Sequence, residues 1–155
     1  MFFRLFTYAG IALLATSTCA AELQMHDAWV AAAPPVAKTQ AAYVALANTS
    51  DHDIEIMDIS AKGFGMVTMH KMIMQGDMAV MEDMPTLLIP AHQTITLAPG
   101  GMHIMLMDAK KMAMPGEKVV LTFQYQDGTK QTFTLEVKTS DNKSATDVKA
   151  MHHHE

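Results

Sequence analysis

Two apolar-alternating runs joined by Asp127-Gly128 limit what this chain can fold into more than any other feature. Val119 to Gln126 and Thr129 to Lys138 set Leu121, Phe123 and Tyr125 against Phe133, Leu135 and Val137, each at every second position. A period of two marks a strand with one face in a core, and Asp-Gly between two such runs is a strong hairpin signal. The same pattern runs back through the chain. Ala28-Trp29-Val30 ends at Pro34-Pro35, and Gln40 to Ala47 reads as a buried strand closed by the turn cluster Asn48 to Asp51. Ile54 to Ile59 alternates Ile with polar residues, which in the simplest register puts Ile54, Ile56 and Asp58 on one face. Met66 to Met74 and Met78 to Met84 pair across Gln75-Gly76-Asp77. Thr86 to Ile89, bracketed by Pro85 and Pro90, reads as a short edge segment, because proline cannot donate to a central ladder. Thr94 to Leu97 then turns through Pro99-Gly100-Gly101, a type II pattern, into the run that begins at Met102. About eight short strands with no 3.6-residue period predict a single all-β domain, a Greek-key sandwich or barrel.

The ends of the chain differ from this middle. Residues 1–20 carry Arg4, an apolar run from Ala9 to Ala15 and small residues up to Ala20 and Ala21, a secretory signal with cleavage expected after Ala20 or Ala21. The residues before Cys19 are Thr16-Ser17-Thr18, not the Leu-led sequence that lipidation uses. Residues 21–139 then form the β-domain, and the polar stretch 140–155 forms a mobile tail ending in His152, His153, His154 and Glu155. Cys19 is the only cysteine and leaves with the signal, so the mature chain is expected to have no thiol. Without Arg4, ten basic residues face sixteen acidic ones, and no basic patch points to nucleic acid. No second apolar run would hold the mature chain in a membrane.

Methionine is concentrated in one region. The chain has 16, of which 12 lie between Met66 and Met114. Any one methionine is ordinarily an adaptable core filler, and Met57, Met66 and Met69 are expected to be core or partial core. The density around two histidines calls for another reason. On a strand, His103, Met105 and Met107 share one face while Ile104 and Leu106 take the other. Upstream, His70, Met72 and Met74, followed by Met78 and Met81, repeat the same chemistry. Imidazole with thioethers suits Cu(I), whereas harder ions prefer carboxylate oxygen. Thioethers also survive outside the cytosol, where a thiol pair would oxidise to a disulfide. His26, His52 and His92 read as ordinary terminal or loop residues, and the tail imidazoles suit Cu(II), which prefers nitrogen.

The spacing of these residues resembles a known family, the periplasmic PCu(A)C copper chaperones. Ten residues separate His70 from Met81, twenty-one separate Met81 from His103, and Met105 completes a His-x-Met. DAWV near the start, AAYVALAN, and IPAHQTITLAPGG leading into MHIMLM extend the resemblance over nearly the whole mature chain. It implies a cupredoxin-like β-domain that binds one Cu(I) through His70, Met81, His103 and Met105. Met72, Met74 and Met107 are extra thioethers by which this chain departs from the family pattern, and they are auxiliary ligand candidates. It also implies a non-enzymatic role in the periplasm, delivering Cu(I) to the CuA centre of cytochrome c oxidase subunit II, or working with a Sco-type thioredoxin-fold protein. Asp108 stands where the family often has glycine.

Other functions fit less well. A blue-copper site needs a cysteine that the mature chain lacks, and an adhesion module with a Met-rich core predicts no metal at all. Copper sequestration without dedicated transfer remains an alternative, since abundant thioethers and a His tail also favour capacity.

Overall fold

The computed structural model describes residues 22–34 and 36–139, so the signal at 1–20 and the tail at 140–155 with His152, His153 and His154 lie outside the described residues. Ten strands and no helix make up the described residues: β1 (Leu23–Ala31), β2 (Thr39–Asn48), β3 (Ile54–Ala61), β4 (Met66–Gln75), β5 (Met78–Met84), β6 (Leu87–Ile89), β7 (Thr94–Leu97), β8 (His103–Met107), β9 (Lys118–Tyr125) and β10 (Lys130–Lys138). They hydrogen-bond in the order β5-β4-β8-β2-β1-β10-β9-β3-β6, with β7 on β2. The path folds over so that β3 packs on β4 and β6 on β2. Its end strands β5 and β6 do not pair, so the expected sandwich or barrel is realised as a sandwich, not a closed barrel. The apolar segment between Pro85 and Pro90 lies at an edge, as its prolines require.

β2 is the strand on which both halves of the molecule depend. One edge pairs with β1, and the other is shared, with Thr39 to Ala42 on β8 and Val44 to Ala47 on β7. A buried amide holds each end. Gln40 Nε2 donates to the carbonyls of Ala31 and Ala113, and its Oε1 accepts from Ala113 N–H. Asn48 Nδ2 donates to the carbonyls of His52 and Ile89. Between them Ala42, Val44 and Leu46 enter a core completed by Ile56, Ile89, Ile104, Leu106, Leu121, Phe123, Leu135 and Val137.

Two details depart from the simplest strand reading. β3 shifts register against β9 between Ile56 and Asp58, an irregularity that moves the apolar face by one residue. Ile59 and Ala61 are therefore buried with Ile54 and Ile56, while Asp58 is exposed instead of joining them. Met57 and Met66 are exposed rather than core, and only Met69 of that trio is buried. Each side chain falls where strand parity sends it, so residue type alone was a poor guide to their burial.

The closing hairpin shows parity overruling a turn preference. A two-residue Asp-Gly loop would pair odd positions with even ones and oppose Phe133 to a polar face. Instead Gly128 N–H donates to Tyr125 O at 2.9 Å and Tyr125 N–H to Thr129 O at 2.9 Å, giving a three-residue loop. Phe133 now faces Leu121 and Leu135 faces Val119. The extra residue requires Gly128 at φ +82, while Asp127 accepts from Thr129 N–H and Oγ1. Those bonds, the hydroxyl first, hold the Asp127 carboxyl below its usual range.

A Cβ on Gly128 would touch nothing, so Gly128→Ala tests the backbone term alone. The expected loss is about 1–2 kcal/mol in urea unfolding. The contribution of the Asp127 carboxylate is present above the ordinary carboxylate range and lost as pH falls through its lowered folded value. Asp127→Asn should therefore flatten the acid limb of the stability curve.

Candidate metal centre

Antiparallel register builds the site. β4 lies between β5 and β8, and directly opposed residues on neighbouring strands share a face. His70 is opposite His103 on β8 and Asp83 on β5. Thr68 is opposite Met105, Met66 opposite Met107, and Met72 opposite Met81. One face of these three strands therefore carries His70, Met81, His103 and Met105 together with Met72, Met74 and Met107. Met81 and Met105 are each diagonal neighbours of His70, on opposite sides, a separation that long side chains can span. The reverse face carries Met69, Ile104 and Leu106 into the core. The sequence-stated set is thus brought onto one surface, with Met107 at the end away from Met72 and Met74.

The two imidazoles meet edge to face, ring centroids 5.6 Å apart at 88°. Exposure rises outward from them. His103 is 6% exposed, Met105 is half-buried, and Met81 is 54% exposed.

Hydrogen bonding decides which nitrogen of each ring has a free lone pair. The type II turn at Pro99-Gly100, closed by Gly101 N–H to Ala98 O at 3.0 Å with Gly100 at φ +80, carries the Gly101 carbonyl under the ring of His103. That carbonyl lies 3.2 Å from His103 Nδ1 and also accepts Met72 N–H at 3.3 Å. A carbonyl only accepts, so Nδ1 carries the proton and Nε2 the lone pair. At His70, Nε2 lies 2.9 Å from Asp83 Oδ1 and 3.0 Å from Thr68 Oγ1. A carboxylate only accepts, so Nε2 carries the proton and Nδ1 the lone pair. His70 Nδ1 is buried with no hydrogen-bond partner. A buried acceptor left empty costs roughly 1–3 kcal/mol, and a metal ion is a partner that would recover it.

The donors present fit a soft monovalent ion. Two neutral imidazoles and two thioethers add no charge, and among the described residues no group of three His, Cys, Asp or Glu gathers to hold a metal. Asp83, Thr68 and the Gly101 carbonyl are orienting groups that sequence reasoning did not name. Asp83 was within reach of it: a two-residue loop at Gly76-Asp77 fixes Met72 opposite Met81, and so His70 opposite Asp83. The other histidines lie apart. His52 and His92 are exposed on loops beside Glu22 and Asp51, and His26 is exposed on β1.

The fold defined by this arrangement is that of PCu(A)C domains. The chain superposes on a copper-bound PCuAC domain from PmoF2 with a TM-score of 0.65 at 19% identity, covering 77% of this chain and 94% of that one. It superposes on the solution structure of CuI-DR1885 from Deinococcus radiodurans with a TM-score of 0.60 at 35% identity, covering 73% and 76%. By sequence the chain belongs to the LpqE-like family, described as "Putative lipoprotein LpqE-like", whose model matches residues 23–137. A curated relative, "Putative lipoprotein Lxx21020" of Leifsonia xyli subsp. xyli (strain CTCB07), is 29% identical over 117 residues, or 75% of this chain and 69% of the relative.

The ring protonation states can be checked without metal. Long-range nitrogen–proton correlation spectra of the neutral rings should show His103 as the Nδ1–H tautomer and His70 as the Nε2–H tautomer. Asp83→Ala should let His70 sample both forms while His103 stays fixed.

Proposed function

We propose that this chain is a non-enzymatic, extracytoplasmic Cu(I) carrier that holds one ion through His70, Met81, His103 and Met105. One observation carries the reading. His70 and His103 are cross-strand neighbours whose N–H groups are already committed to Asp83 and to the Gly101 carbonyl, which leaves one lone pair on each ring beside two thioethers. The copper named in the PmoF2 and DR1885 structures supports it. The lipoprotein names of the family and its relative, with the apolar leader at 1–20, support placement outside the cytoplasm; we assign the periplasm, with cleavage after Ala20 or Ala21.

The neutral donor set leaves the complex at charge +1 and contains no thiolate. Such a site holds Cu(I) against solvent yet yields it to a dithiolate acceptor by stepwise exchange. The recipient we assign is the CuA centre of cytochrome c oxidase subunit II, reached directly or through a Sco-type thioredoxin-fold protein. The tail histidines, His152, His153 and His154, we assign to a separate Cu(II) site, because three adjacent imidazoles supply the nitrogen donors that the harder oxidation state prefers.

Competition with a Cu(I) chelator should give one ion per chain. His103→Ala or Met105→Leu should weaken it about tenfold or more with the β-sheet circular dichroism unchanged; unchanged competition in both variants would refute the ligand assignment. Mixing the loaded protein with apo subunit II domain should move copper to the acceptor. Retention of copper beside both that domain and a Sco-type protein would favour sequestration. Truncation after Thr139 should remove Cu(II) capacity and leave the core Cu(I) ion in place.

A further inference from the structure

The β4–β5 hairpin carries two thioethers, Met72 and Met74, beyond what one four-ligand site needs to place around its ion, on the same face as the ligand Met81. Met72 and Met81 are directly opposed, and Met74, two residues further along β4, is the diagonal neighbour of Met81 on the same face. Their exposures are 36%, 54% and 66% for Met72, Met81 and Met74. Exposed positions on an edge hairpin ordinarily take polar side chains, and the reverse face of this one does so at Lys71 and Glu82, paired at 2.9 Å. A methionine at Met74 or Met72 gains little from burial, so core packing does not account for the choice.

We propose that Met72, Met74 and Met81 form a second, weaker soft-metal site, and that this site is the exit by which the ion leaves the histidine centre. The inference rests on the copper reading above and deepens it. Met81 belongs to both sites. It is opposite Met72 and diagonal to both His70 and Met74 along β4, so it can stay bound while the remaining ligands change. The step is a ligand exchange without redox change. Bonds from the ion to the two imidazole nitrogens and to the Met105 sulfur break as bonds to the Met72 and Met74 sulfurs form, the Met81 sulfur stays bound, the ion remains Cu(I), and no proton moves. Three thioethers bind more weakly than a set with two imidazoles held by Asp83 and Gly101, so the outer site fills second. Its solvent exposure then lets an acceptor thiolate displace thioethers one at a time, which the buried His103 ring does not allow.

The hairpin geometry also sets a direction. Beyond Met74 the strand ends at Gln75 and the Gly76-Asp77 turn, and β5 is the free edge of the sheet. The thioethers thus lead from a ring pair inside the domain to its open margin. On the other side of the rings Met66 and Met107 are also opposed, with Met105 diagonal to Met66, but there β8 is covered by its pairing with β2 and offers no free edge.

Two measurements test this on the full chain labelled with 13C at the methionine methyls. Ag(I), a closed-shell analogue of Cu(I), is added stepwise. The first equivalent should shift Met81 and Met105 along with both imidazoles, and the second should shift Met72 and Met74, leaving buried Met69 and Met112 unchanged. Shifts confined to Met81, Met105 and the rings through two equivalents would overturn the outer site while leaving the copper reading intact. No shift at any methionine or histidine would overturn both. In the second measurement, the Met72→Leu/Met74→Leu protein is loaded with one Cu(I) and mixed with bathocuproine disulfonate. Retained binding of that ion with release at least about tenfold slower than in the unsubstituted protein is expected. An unchanged release rate would overturn the exit role.

Discussion

The whole metal-binding face depends on the register of β4 between its two neighbours. One strand slot, fixed by backbone hydrogen bonds, places His70 against His103 on one side and Asp83 on the other. A slip of β8 by one residue would turn every one of its side chains over, sending His103 toward the core and Ile104 toward solvent. The apolar face forbids that slip. Ile104 and Leu106 are fully buried, and exposing both would forfeit roughly 3–6 kcal/mol of hydrophobic stabilisation. The core on one face is therefore what holds the donors in line on the other.

The same coupling explains how a soft-metal site can be both exposed and ordered. Methionine side chains are flexible, and thioethers alone impose little geometry. Order comes instead from the rings. His103 is held by a backbone carbonyl at a turn whose shape Pro99-Gly100 dictates, and His70 by a carboxylate and a hydroxyl from adjacent strand positions. Each anchor engages one nitrogen of its ring, Nδ1 of His103 and Nε2 of His70. The rings are thus oriented before any ligand arrives, while the sulfurs adapt around them.

Much of this was legible in the chain, and what was hidden was hidden for physical reasons. Period-two alternation located the strands, Pro and Gly located the turns, and the faces of β8 followed from its sequence. Register was harder, because it depends on loop length to within one residue. At Asp127-Gly128 the local turn preference favours two residues, and only the demand that Phe133 face Leu121 selects three. Within β3 a bulge moved Asp58 out and Ile59 in, and no residue there signals it as a glycine would. The motif spacing picked out His70, Met81, His103 and Met105, which the register places on one face, yet it could not supply Asp83 or the Gly101 carbonyl. Those depend on which strands are neighbours: β5 and β8 flank β4 although eighteen residues lie between them along the chain.

That arrangement of neighbours also bears on how the domain can change without losing its fold. The strands that carry donors, β5, β4 and β8, occupy one end of the hydrogen-bonding path, and the closing hairpin β9–β10 lies beyond β2 and β1. Core residues from β8 reach across to the middle of the sandwich, whereas β5 contributes no fully buried side chain. Substitution along β5 and the outer half of β4 therefore acts on ligands with little cost in packing. Substitution on β8 acts on both, because His103 and Met105 alternate with the core residues Ile104 and Leu106. A chain built this way can vary the number of outer thioethers freely while its histidine centre stays tied to the stability of the whole domain.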